Sequence, residues 1–146
     1  MIKKYISSEE AEVAFYDALG CNDLETMMGV WLDNEDTVCV HPGACRLEGT
    51  ADIRHAFEQM FDEPTPEMEF TVSDKQCQCL GNVAIHTLRE EIEIGGQLVS
   101  VMLATNIYVQ TEAGWRMLLH HASPELDFDM DDLDLTMEHT APIVLH

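Results

Sequence analysis

The strongest constraint on this chain lies between Glu67 and Ser123, where apolar and polar residues alternate through successive segments separated by turn residues. Met68, Phe70 and Val72 alternate with Glu67, Glu69 and Thr71, and this segment runs toward Leu80 before Gly81-Asn82. Val83 to Ile94 stops at Gly95-Gly96, Gln97 to Gln110 at Glu112-Ala113-Gly114, and Trp115 to Ser123 at Pro124. A period of two sends successive side chains to opposite faces of a strand, and the tight turns join neighbours as antiparallel hairpins. Strands of 9 to 14 residues must twist and coil. The expected product is a curved antiparallel sheet with one concave face.

The preceding residues read as helices. Ser7 with Glu10 three positions on makes a capping box, and Ala11, Val13, Phe15, Tyr16, Ala18 and Leu19 recur at helical spacing to a stop near Gly20. Asn22 and Glu25 repeat the cap signal before Leu24, Met27, Met28 and Trp31, and the second helix ends in Asp33-Asn34-Glu35-Asp36. Thr37 to His41 is a short strand stopped by Pro42-Gly43, with Ala44 to Leu47 as its return. Gly49-Thr50 opens a third helix with Ile53, Ala56, Phe57, Met60 and Phe61 on one face, ended by Pro64 and Pro66.

Residues 1–124 therefore form one α+β domain, and 125–146 an acidic tail with seven acids and no Lys or Arg. Two readings of the tail stand: a solvated segment, or one whose Leu126, Phe128, Met130, Leu133, Leu135 and Met137 dock on an apolar groove. The formal charge of −21 leaves no basic surface for phosphates, which excludes nucleic acid and disfavours anionic membranes. Neutral or cationic small molecules suit such a field better. No apolar stretch nears the ~20 residues of a bilayer span, and Met1 to Tyr5 leads into acids, so a cytoplasmic protein is expected. Five cysteines (Cys21, Cys39, Cys45, Cys77, Cys79) are then expected to be reduced and mostly buried. Neither Cys39-x-His41, Cys77-x-Cys79 nor His120-His121 has a usual zinc spacing, so no metal and no cofactor is expected.

Three stretches resemble the SnoaL-like branch of the nuclear transport factor 2-like superfamily: Asp23 to Trp31, Val38-Cys39-Val40-His41-Pro42-Gly43 through Gly49, and Trp115 through His120-His121-Ala122-Ser123-Pro124. The closing His121-Ala122-Ser123 is also similar to the last strand of the association domain of calmodulin-dependent kinase, another member. The resemblance implies a cone-shaped fold with helices packed on the sheet, homodimerisation through the sheet, and a pocket between helices and concave face. It implies no single chemistry, since members include isomerases, hydrolases, dehydratases and assembly modules.

The pocket is expected to be lined by Trp31, His41, Asn106, Tyr108 and His121. His41 ends its strand either as an acid/base group or as a turn-fixing residue. Asn106 and Tyr108 share a face with Ser100, Met102 and Ala104, where Asn106 serves the pocket or the core. By strict alternation His121 goes with Trp115 and Met117, and His120 with Arg116 and Leu118, so His121 is placed inward. Arg89 either anchors an anion or pairs with a neighbouring Glu. No acid can be assigned to the pocket from the pattern, so acid/base catalysis and a non-catalytic dimerisation module both remain open.

Overall fold

The computed structural model describes residues 3–126. Helices α1 (Ser8–Cys21), α2 (Leu24–Val30) and α3 (Thr50–Asp62) pack on one curved, unclosed sheet of β1 (Val38–Val40), β2 (Leu47–Glu48), β3 (Met68–Leu80), β4 (Val83–Ile94), β5 (Gln97–Thr111) and β6 (Gly114–Pro124). The sheet order is β2-β1-β6-β5-β4-β3. It is antiparallel except for β1, which runs parallel to β6, so the sheet is mixed. Residues 127–146, which contain most of the acidic tail, lie outside the described residues.

Local chemistry sets the helix limits. Ser7 is extended, and its Oγ accepts the Glu10 N–H while Glu10 accepts the Ile6 N–H, closing the cap. Asn22 does not cap α2. It adopts the left-handed conformation that ends α1, and Asp23 takes the cap, its carboxylate accepting the Thr26 N–H at 3.1 Å. Asn tolerates positive φ better than most residues, which decides the division of labour.

Three bulges curl the sheet. One sits in β3 beside Asp74, which has φ 49°, one at Val99 in β5, and one at Leu118 in β6. The concave face and the helices enclose Phe15, Met27, Trp31, Ile53, Phe57 and Met117, all buried. Phe15 stands edge-on to Trp31 and Phe57, both at 6.5 Å, a geometry that aromatic rings favour. Val13, counted on the buried stripe of α1, is exposed, and Glu12 is buried in its place.

Four of the five thiols depart from expectation. Only Cys39 is buried, and Cys21, Cys45, Cys77 and Cys79 are exposed and free.

Candidate functional site

The inward residues of α1 fall at Ser8, Ala11, Glu12, Phe15 and Tyr16, the i, i+3, i+4 spacing of one helix face. Three polar groups, the Ser8 and Tyr16 hydroxyls and the Glu12 carboxylate, therefore enter the interior on this stripe. They meet His86 and Glu90 from β4 and Asn106 and Tyr108 from β5, and Asn106 in turn bonds His120 from β6. Cross-strand pairing explains the company: His86 faces Asn106, and Asn106 faces His120, so one row of three strands presents three polar side chains to the helix.

Glu12 is the hub. One carboxylate oxygen accepts from His86 Nδ1 at 2.9 Å, Tyr108 OH at 2.9 Å and Asn106 Nδ2 at 3.2 Å, and the other from Lys75 Nζ at 3.3 Å. Burial raises its pKa, but the hydrogen bonds from His86, Asn106 and Tyr108, with the electrostatic attraction of the His86 ring, together outweigh burial and hold it below the usual range. Glu90 behaves oppositely. It is buried with one strong donor, Tyr16 OH at 2.6 Å, and burial, aided by the Glu12 charge, pushes its pKa up against that bond. Two carboxylates of one interior are thus driven toward opposite protonation states.

Asn106 joins them, donating to both Glu12 and the Tyr16 hydroxyl and accepting from His120 Nδ1 at 2.6 Å. That bond leaves His120 Nε2 facing Glu90 Oε2 at 3.9 Å. Burial, with the neighbouring His41 and His121 against it, lowers the His120 pKa to about 3, so its ring is neutral at physiological pH. Tyr16 and Tyr108 are held protonated by burial and adjacent carboxylates.

Of the residues singled out from sequence, Asn106 and Tyr108 belong to this network. Trp31 and His41 stand on the adjoining aromatic wall: Trp31 is buried against Phe57 with no partner for its Nε1 among the described residues, and half-buried His41 lies perpendicular to Phe57 at 5.1 Å and stands 6.0 Å from His120. Burial lowers the His41 pKa. His121 points the other way. It is exposed and lines a cleft of about 430 Å³ on the outer face with Arg89, Leu103, Thr105 and Ser123. The Leu118 bulge is the reason: Ile107 opposes Leu119 while Tyr108 opposes Met117, so the extra residue reverses the alternation and puts His120 with Met117 and Trp115. Arg89 pairs with Glu125 at 2.8 Å, not with a strand neighbour.

Alternation alone missed Glu12, Glu90, Tyr16, His86 and Ser8. The signal for Glu12 was present, as an acid three and four residues from Phe15 and Tyr16 and four from Ser8. Glu90 shares the parity of His86 and Leu88, which a run of glutamates beside it obscures.

The model of the SnoaL-like domain matches residues 9–127. Among solved structures, a candidate calcium/calmodulin-dependent protein kinase type II association domain from Thiobacillus denitrificans is 32% identical, covers 84% of this chain and 98% of its own, and superposes with a TM-score of 0.74. A candidate dehydratase of the NTF2-like family from Streptomyces avermitilis is 33% identical over 80% of this chain and 91% of its own, with a TM-score of 0.72. An NTF2-like protein of unknown function from Pseudomonas putida, 18% identical over 84% of this chain and 87% of its own, shares the fold at a TM-score of 0.71. A search of curated protein sequences finds no match. Among the described residues no helix is long and apolar enough to cross a membrane. With a family model spanning most of its length and that superposition of folds, the chain belongs to the SnoaL-like domain family of the nuclear transport factor 2-like superfamily.

Proposed function

We propose that the interior binds a small neutral or cationic molecule and exchanges a proton with it through Glu90 and His120. The observation that carries this reading is the pair of buried carboxylates shifted in opposite directions, with the raised one, Glu90, 3.9 Å from the His120 Nε2. Groups whose environments push their pKa values apart are the usual basis of an acid/base division of labour. Glu12, fully hydrogen-bonded, is the fixed charge that orients Asn106 and Tyr108. Glu90 in its acid form donates to a hydroxyl or carbonyl oxygen of the bound molecule, with His120 Nε2 as the facing acceptor. The aromatic wall of Phe15, Trp31, His41 and Phe57 supplies the apolar contact, and half-buried Phe61, Phe70 and Met102 pack against the same interior.

The chemistry that fits is elimination of water. Glu90 protonates the departing hydroxyl as the C–O bond breaks, and the carboxylate so formed, 3.9 Å from His120 Nε2, favours the charged ring as His120 takes the proton from the adjacent carbon and the new double bond forms between the two carbons. His120 then returns its proton to Glu90 across the 3.9 Å gap. The likeness to the Streptomyces avermitilis candidate dehydratase supports the same class. A thermal-melt screen of neutral and cationic cyclic alcohols and ketones tests it, with hits followed for a new conjugated absorbance. Compounds that raise the midpoint of the wild type but not of Glu90→Gln and His120→Gln support the site. A library without a hit, or hits indifferent to both variants, would sink it.

The sheet's outer face favours a second reading, self-association. Leu98 and Leu103 are 52% and 46% exposed there, beside Ile85, Val101 and Ile107. Exposed apolar side chains gathered on one sheet face suit contact with a partner surface. Light scattering at micromolar concentration should give the mass of a homodimer, and Leu103→Glu should halve it.

A further inference from the structure

A second constellation lies on the far side of His86 from the proton-exchanging pair. Glu9 of α1, Cys77 of β3 and His86 of β4 bring one donor atom each to within 4.8 Å of one another. The Glu9 carboxylate oxygen is 3.7 Å from Cys77 Sγ and 3.9 Å from His86 Nε2. Around one tetrahedral zinc, with bonds of about 2.0 to 2.3 Å, donors stand about 3.3 to 3.6 Å apart, so the two Glu9 distances need to shorten by only a few tenths of an ångström, and Cys77 and His86 start within 4.8 Å of each other. We propose that Glu9, Cys77 and His86 form a binding site for a divalent transition metal of the zinc class.

Three features make this more than a crowd of ligand types. His86 is fully buried and its Nδ1 donates to Glu12 at 2.9 Å, which fixes the tautomer with the Nε2 lone pair directed at the site. A carboxylate behind a ligating histidine is the outer-shell arrangement typical of zinc centres. The bond Nε2 now makes, to Ser8 Oγ at 3.0 Å, is neutral and replaceable, since that hydroxyl also reaches Glu9 at 3.4 Å. Finally, Cys77 and Glu9 are solvent-exposed, so an ion reaches them without opening the core. The ligands come from three elements that only the fold unites, so no local spacing announces them. Bound there, the ion ties α1 to β3 and β4, and the Cys77 proton passes to solvent.

Cobalt titration of the reduced full-length chain tests the site. One Co²⁺ per chain, with the charge-transfer absorption of a cobalt–thiolate bond that Zn²⁺ abolishes, is expected. Cys77→Ser removes the absorption and Glu9→Gln weakens Zn²⁺ binding by more than roughly tenfold, the least that loss of even an outer-shell partner produces. Cys21→Ser and Cys45→Ser leave both unchanged. In the wild type, Zn²⁺ should also protect Cys77 from alkylation as mapped by mass spectrometry, a readout that needs no variant to fold. A wild type without the absorption, a Cys77→Ser protein that retains it, or Cys77 alkylated equally with and without Zn²⁺ each overturns the proposal. Cys77 and Glu9 touch neither Glu90 nor His120, so this outcome is independent of the acid/base reading.

Discussion

Acidification should destabilise this fold through His120, by an amount the structure sets. The ring is buried between Phe15, at 4.9 Å, and Asn106, with Glu90 at 3.9 Å, His41 at 6.0 Å and the charges of His121 and Glu12 felt from further off. Burial is the largest influence and lowers its pKa from 6.5 to about 3. A base whose folded pKa lies below its unfolded value contributes full stability above the unfolded value and loses it as pH falls toward the folded one. The loss amounts to about 1.4 kcal/mol per pH unit inside that window. Between pH 7 and pH 5 the accumulated loss is about 2 kcal/mol, most of it arising below the unfolded pKa. Other groups titrate over the same range, so the quantity to measure is the difference from His120→Gln, whose amide still offers Asn106 a donor. Urea unfolding followed by fluorescence of the buried Trp31 and Trp115 at pH 7, 6 and 5 gives both stabilities, provided m-values agree. The wild type should lose about 2 kcal/mol relative to the variant. A gap that stays constant within about 0.5 kcal/mol would mean that His120 is not held neutral by its surroundings, and the argument would fail.

Glu90→Gln should stabilise the protein at neutral pH, because the folded pKa of this acid is raised. Its contribution is present below the unfolded value of 4.5 and lost as pH rises through and above it, so variant and wild type should converge below about pH 4.5 in the same urea experiment. A stabilised protein that has lost ligand response is what a functional acid predicts, whereas a structural acid would lose stability. Gly114→Ala should unfold the N-terminal attachment: at φ 98° an added Cβ would stand 2.6 Å from the Tyr5 carbonyl oxygen, and hydrogen exchange at Trp115 N–H, now bonded to that oxygen at 2.8 Å, should accelerate. Phe57→Ala, at the meeting point of Phe15, Trp31, His41 and Phe61, should cost about 3 to 5 kcal/mol by denaturant titration.

What the sequence made legible follows from how far each signal reaches. Strand lengths and turns were readable because alternation and Gly-rich breaks are local, and β4, β5 and β6 begin and end within one residue of where those signals place them. The inward face of β5 was readable too, since Ala104, Asn106 and Tyr108 keep one parity, whereas Ala84, His86, Leu88 and Glu90 of β4 also keep one parity but the glutamates that follow leave its inward face unmarked. Parity failed on β6 because it is a count, and a bulge adds one. Nothing in Met117-Leu118-Leu119 marks Leu118 as the residue that opposes no partner; the curvature demanded by the whole sheet selects it.

The consequence reaches the chemistry. Had β6 remained regular, a residue of the other parity would face Asn106, and the carbonyl of that amide would lose its imidazole donor. With its carbonyl taken by His120, Asn106 must direct its amide protons toward Glu12 and Tyr16. That orientation keeps Glu12 ionised and leaves Glu90 with Tyr16 as its donor, where burial prevails. The opposed carboxylates that define the candidate site therefore depend on one inserted residue in the last strand, at a position where every local rule of strand reading is satisfied without it.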